Sequence, residues 1–226
     1  MMRKNLSVPI VRKFIPSRKL KSRKGDNGIV LVVGGSYIYH GAPILSSIAA
    51  LRSGSDLVYT CVPKINVTPT RAISPNLIVI PLVDQKLTRG AVHKLLGAIP
   101  NNLHSATIGM GLAIQEKNSL LLLVKSLLDM DVRLSLDASA LIPEVLPLLA
   151  NKNVVVTPHA GEFKRLFGED PSNSKNERIK LVEKYAKEFG ITVLLKGPTD
   201  VISNGPTTYL YEKKIPAMTV GGTGDV

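Results

Sequence analysis

Apolar positions along the chain fall in short β-branched runs, separated by longer stretches with helical spacing. Ile29–Val33 is an uninterrupted apolar run closed by Gly34-Gly35, the pattern of a strand buried on both faces. Further strands are predicted over Leu57–Thr60, Leu77–Ile80, Ala106–Ile108, Val132–Leu136, Val154–Val156 and Ile191–Leu195. Helical spacing covers residues 42–53, 88–98, 116–129, 160–167 and 175–189, with Thr88 placed to start the second of these. Val201–Ser203 and Thr207–Tyr211 flank Asn204-Gly205, the signal of a hairpin. Strands alternating with helices imply an α/β protein whose mainly parallel sheet is covered on both faces. No internal repeat or Ser/Gly linker divides the chain.

In open α/β sheets, ligands bind at the carboxyl ends of the strands. The glycine-rich and polar residues cluster at those ends: Gly34-Gly35-Ser36, Gly109-Met110-Gly111, Asp137, Thr157-Pro158-His159 and Lys196-Gly197. Each could be a plain turn. Five along one sheet edge are harder to explain that way.

Composition then narrows the function classes. With 226 residues, 44% hydrophobic and 20% charged, the chain can bury an ordinary core without staples. The longest apolar runs, Ile29–Val33 and Leu120–Val124, fall far short of the ~20 residues of a membrane helix. The single cysteine, Cys61, excludes a disulfide framework and agrees with a reducing, cytoplasmic setting. The net charge of +12 is concentrated at the start: nine of the 29 basic residues precede Lys24 or include it, and the first acid is Asp26. Beyond that point 20 bases face 17 acids, so the body is nearly balanced. The arm reads as a solvated lead-in, and neither nucleic acid nor a membrane is expected as a partner.

The strongest local signal is Val220-Gly221-Gly222-Thr223-Gly224-Asp225. Closely spaced glycines can turn several backbone N–H groups toward one point, and a helix beginning there would complete an anion site. An acid at such a place suits a proton acceptor beside a phosphoryl group. A turn with a helix-capping Asp is the other reading. Thr157-Pro158-His159-Ala160-Gly161-Glu162 places a histidine at a helix start, with Glu162 able to cap it from the first turn. The chain has no Walker A motif, no Gly-x-Gly-x-x-Gly and no Gly-x-Ser-x-Gly elbow. The remaining histidines, His40, His93 and His104, lack mutual metal-ligand spacing.

Taken in order, these segments resemble the NAD(P)H-hydrate dehydratases. The resemblance runs through Lys24-Gly25-Asp26-x-Gly28, Val30 to Gly35, Gly41-Ala42-Pro43 and Ala49-Ala50-Leu51-Arg52-Ser53-Gly54. It continues through Gly109-x-Gly111-Leu112, Leu136-Asp137-Ala138-x-Ala140-Leu141, the Thr157–Glu162 segment, Leu195-Lys196-Gly197 and Gly221–Asp225. It covers about residues 11–226, and its ordered set is specific although each piece alone is not.

The resemblance implies a ribokinase-like three-layer α/β/α sandwich, with residues 1–24 as a basic lead-in and 25–226 as a single domain. It implies repair of hydrated NADH or NADPH at the expense of ADP or ATP, ADP being the expected donor, with Mg²⁺ accompanying the nucleotide. The hydroxyl on the hydrated ring would be phosphorylated first, because phosphate is a far better leaving group than hydroxide. By position, Asp225 would accept the hydroxyl proton, and Ala42, Gly111 and His159 would line the hydrated dinucleotide together with it. Lys196, Gly197, Pro198, Thr199 and Asp200 would hold the adenine nucleotide, and Gly222, Thr223 and Gly224 would receive the phosphoryl charge. No dedicated metal cage of protein ligands is expected. A separate epimerase would serve the other epimer, and a homo-oligomer is expected. A small-molecule kinase of the same superfamily, acting on a hydroxymethylpyrimidine or hydroxyethylthiazole, is the nearest alternative. A non-catalytic nucleotide-binding protein is another. Ser139 stands where many members carry a second acid, and Ala217 replaces a common glycine. Family members continue past the position of Val226 with further helices, so the chain as written is expected to be impaired.

Overall fold

The computed structural model describes residues 2–171, 174–212 and 220–226, so Ala217 lies outside the described residues. In chain order the elements are β1 (Met2–Asn5), α1 (Val8–Phe14), β2 (Ile29–Val33), α2 (Gly41–Arg52), β3 (Leu57–Pro63), α3 (Val67–Ile73), β4 (Leu77–Leu82) and α4 (Arg89–Ala98). They continue as β5 (Ser105–Ile108), α5 (Lys117–Asp129), β6 (Arg133–Leu136), α6 (Leu146–Leu149), β7 (Val154–Val156), α7 (Ala160–Phe167), α8 (Lys175–Phe189), β8 (Thr192–Leu195), β9 (Thr199–Ser203) and β10 (Thr207–Glu212). Among the described residues no helix is long and apolar enough to cross a membrane.

The chain divides into two units, described in turn. One comprises Ser22–Ala140 with Thr219–Val226. Its strands lie in the order β6-β5-β2-β3-β4, and every neighbouring pair is parallel. Leu31, Val32 and Val33 of β2 are fully buried, as an apolar central strand requires. α2 packs on β2 and β3, α3 on β4, and α4 on α5. Thr88 starts α4 by accepting the Ala91 amide at 3.1 Å. Leu120, Leu123, Val124 and Leu127 form the buried stripe of α5. Cys61, within β3, is fully buried, and that burial pushes its thiol pKa up, so it is an inert apolar filler.

The other unit comprises Met1–Lys21 with Leu141–Met218. Its strand order is β1-β10-β9-β8-β7. β7 and β8 are parallel, β9 is antiparallel to both β8 and β10, and β1 is parallel to β10. The β9–β10 hairpin turns at Asn204-Gly205, where Gly205 has φ +93° and the Thr207 amide bonds the Asn204 side chain. Phe163, Phe167, Tyr185 and Phe189 pack ring on ring between α7 and α8.

β1 and α1 are not marked by the hydrophobic pattern, because all four residues of β1 are exposed and α1 buries none of its seven. A charge clamp holds β1 instead. Arg3 donates Nε to Glu183 Oε1 at 2.8 Å and Nη2 to Oε2 at 2.7 Å. Thr208 Oγ1 donates to the same Oε1 at 3.0 Å. The Arg3 hydrogen bond holds the Glu183 carboxyl below the usual carboxylate range, against the opposing effect of its burial.

A carboxyl with a depressed folded-state pKa stabilises the fold above the usual carboxylate range, and that contribution is lost as pH falls through the depressed value. Arg3→Ala is therefore expected to cost about 1 kcal/mol near neutral pH, a modest figure because the arginine is half exposed. Urea denaturation at pH 7 and at pH 3 checks this. The gap between variant and parent should narrow in acid, and an equal gap at both pH values would count against the clamp.

Candidate active site

Within the first unit, three strand-end loops meet with almost no room between backbones. Gly35 N donates to Met110 O at 2.9 Å, and Gly109 N donates to Val33 O at 3.0 Å. A Cβ on Gly34 would lie 2.6 Å from Met110 O. Gly109 has φ +120°, and a Cβ there would fall 1.9 Å from Asp137 O. Both positions accept only glycine. Ser139 Oγ sits 2.8 Å from Gly109 O and 2.7 Å from Leu112 O, donating into the same turn. Ser139 thus fastens the glycine turn, where a carboxylate could not donate.

Gly111, at φ +63°, faces the start of α2: a Cβ on it would be 2.7 Å from Tyr39 Cβ and 3.6 Å from Ala42 Cβ. The structure therefore brings together Ala42 and Gly111, two residues assigned from sequence to the hydrated dinucleotide. Asn66, buried, donates to Ser36 O at 2.8 Å and holds the loop leading into α2.

The Gly221–Gly224 segment forms a turn that docks on the next turn of α2. Ser46 Oγ donates to the main-chain oxygen of Asp225 at 2.6 Å, and Asp225 N donates to Gly222 O at 3.1 Å. Gly222 has φ +90°, with Leu45 Cδ1 only 2.8 Å from where a Cβ would stand. Thr223 Oγ1 donates to Val220 O at 2.9 Å, closing the turn. Ser46 and Leu45 were not found from sequence, since a serine and a leucine inside a small, apolar helix carry no mark. Asp225 is half-buried while Thr223 and Gly224 are exposed.

The second unit brings its own two loops together. Lys196 N, after β8, donates to Pro158 O, after β7, at 2.8 Å. His159 caps α7: its Nδ1 accepts from Gly161 N at 3.0 Å and Glu162 N at 3.3 Å. Glu162 Oε2 in turn accepts from His159 N at 2.9 Å, completing a capping box with histidine in the place of Ser or Thr. Nδ1 is therefore an acceptor, and Nε2, 3.4 Å from Glu162 Oε1, carries the proton. Asp200 Oδ1 accepts from Gly197 N at 2.9 Å and closes the Lys196–Asp200 loop on itself. Among the described residues no group of three or more His, Cys, Asp or Glu could hold a metal ion.

Residues 30–226 match the family model for NAD(P)H-hydrate dehydratase. The chain belongs to that family. It is 87% identical over 226 residues to the ADP-dependent (S)-NAD(P)H-hydrate dehydratase of Nitrosopumilus maritimus, which covers all of this chain and 79% of that protein. It is 40% identical over 216 residues to a bifunctional NAD(P)H-hydrate repair enzyme of Pyrobaculum aerophilum, of which it spans 42%. Among solved structures it is similar to the ADP/ATP-dependent NAD(P)H-hydrate dehydratase of Bacillus subtilis co-crystallised with ATP and Mg²⁺ (TM-score 0.77, 25% identity, 95% of this chain and 74% of that one). It also resembles a ribokinase-like superfamily protein of Enterococcus faecalis (TM-score 0.76, 25% identity, 99% of this chain and 76% of that one). The fold expected from the sequence, ribokinase-like α/β, is the fold observed.

Substitution of glycines in the dehydratase should discriminate by site. Gly109→Ala is expected to cost about 3 kcal/mol or more, because both the φ and the methyl are disallowed. Gly97→Ala, in α4 with open space around it, is expected to stabilise by about 0.5 kcal/mol. Chemical denaturation of the two variants reads both signs.

Proposed function

We propose that this chain dehydrates hydrated NADH or NADPH back to the reduced dinucleotide, with ADP as phosphoryl donor. The observation that carries the assignment of the site is the common anchorage on α2. Gly111 abuts Ala42, and Ser46, one helical turn further on, fixes the main chain of Asp225. Proton acceptor and dinucleotide subsite thus share one rigid support, as a near-attack geometry demands.

Asp225 takes the proton of the ring hydroxyl as its oxygen bonds to the terminal phosphorus of ADP. The bond from that phosphorus to the bridging oxygen breaks, and AMP leaves. The amides of Gly222, Thr223 and Gly224 are assigned to the charge that builds on the transferred group. The ring nitrogen lone pair then expels phosphate by breaking the ring C–O bond, and loss of the neighbouring carbon-bound proton restores the double bond. Ala42 and Gly111, lacking bulk, leave space for the hydrated ring, and His159 offers its Nε2–H to the dinucleotide.

The adenine nucleotide is assigned to Lys196, Gly197, Pro198, Thr199 and Asp200. Within that loop the amides of Lys196 and Gly197 already donate to Pro158 O and Asp200 Oδ1. Contact with the nucleotide therefore falls to side chains, Lys196 foremost, and to the remaining backbone. Mg²⁺ would enter on the nucleotide phosphates, which supply most of its oxygens. A separate epimerase and a cytoplasmic location complete the proposal.

The test mixes the chain with hydrated NADH and Mg²⁺, adding ADP, ATP or no nucleotide, and follows the return of reduced-nicotinamide absorbance. Recovery is expected with ADP and not without nucleotide. Asp225→Asn is expected to lower the rate by about 10²-fold or more, with ADP binding retained. Recovery independent of nucleotide would overturn the phosphorylation route, and full activity in Asp225→Asn would remove the residue from catalysis.

A further inference from the structure

Arg178 lies in the first turn of α8, within the charged run Lys175-Asn176-Glu177-Arg178, and nothing in its sequence surroundings sets it apart. In the structure it reaches across to the loop after β8. Its Nη2 donates to Lys196 O at 3.2 Å. A Cβ on Gly197 would stand 2.4 Å from that same Nη2, so the glycine is what admits the guanidinium. Asp200, buried, acts on Arg178 electrostatically and accepts the Gly197 amide from the other side. Partial burial pulls the Arg178 pKa down and Asp200 opposes it, so the charge is set into the fold rather than left in solvent. Two residues of opposite charge therefore grip one peptide group, Arg178 at its carbonyl (Lys196 O) and Asp200 at its amide (Gly197 N).

We propose that Arg178 is a positioning residue for the adenine nucleotide: seated against Gly197 and bonded to the Lys196 carbonyl, it holds the Lys196–Asp200 loop in its receiving shape. The inference rests on the assignment of that loop to the nucleotide. It also gives Asp200 a different task from ligand contact, because one of its carboxylate oxygens is occupied within the loop. Lys196 is then presented from a backbone fixed on three sides, by Pro158, Arg178 and Asp200.

Calorimetric titration of ADP with Mg²⁺ into the full chain and into Arg178→Ala, Arg178→Lys and Gly197→Ala tests this, alongside steady-state kinetics and thermal melting. In Arg178→Ala the Kd and KM for ADP are expected to rise about tenfold or more, the loss of one hydrogen bond to a charged group. The KM for hydrated NADH should stay within about twofold, since that subsite is assigned elsewhere. Gly197→Ala should reproduce the effect with the arginine still present, and Arg178→Lys should recover part of it. An ADP Kd within about twofold of the parent in Arg178→Ala would overturn the proposal. So would a parallel loss of both substrates' affinities with a lowered Tm, which marks a structural role only. A parent chain that fails to bind ADP would overturn the loop assignment, and this inference with it.

Discussion

Where β2, β5 and β6 end, the backbone passes itself at distances that exclude a methyl group. Met110 O occupies the space where Gly34 would carry a side chain, and Asp137 O does so at Gly109. Buried peptide groups that come this close must bond each other, and they do, through Gly35 to Met110 and Gly109 to Val33. The crossing fixes where Gly111 emerges, and Gly111 in turn fixes its spacing from Ala42. Everything assigned to the dinucleotide in that unit is measured from this knot of main chain. It is built from backbone rather than side chains, so it cannot relax by changing rotamers.

The elements with strong periodicity were legible because their burial is one-sided or complete. β2 reads as a strand since all five of its residues are apolar, and α5 as a helix since its leucines recur on one face. α3 was not read, because Val-Thr-Pro-Thr is poor helix-forming material and only its packing on β4 makes it helical. β1 is invisible for the opposite reason: an exposed edge strand needs no apolar pattern, and its pairing is decided by Arg3 and Glu183, 180 positions apart.

For the candidate site, the legible part was glycine. Glycine spacing marks where backbone must approach backbone, and Gly109, Gly111 and Gly222 are legible in the sequence for that reason. Sequence reading could not see what holds those turns. Ser46, Ser139 and Arg178 are ordinary residue types in ordinary surroundings, and only three-dimensional proximity gives them work. His159 falls between: its place at a helix start was readable, its use of Nδ1 as the cap was not.

β1 is synthesised some two hundred residues before β10, the strand it pairs with. At ~5–20 residues per second, Arg3 waits on the order of 10–40 s for its register partner, Thr208, to be synthesised. Residues 22–140, by contrast, are contiguous and carry all five strands of their unit. Order of synthesis and order of folding are thus reversed for β1 relative to residues 22–140. Residues 22–140 can organise before β1 has a strand to pair with, and the strong positive charge around β1 and α1 discourages premature strand pairing with other copies.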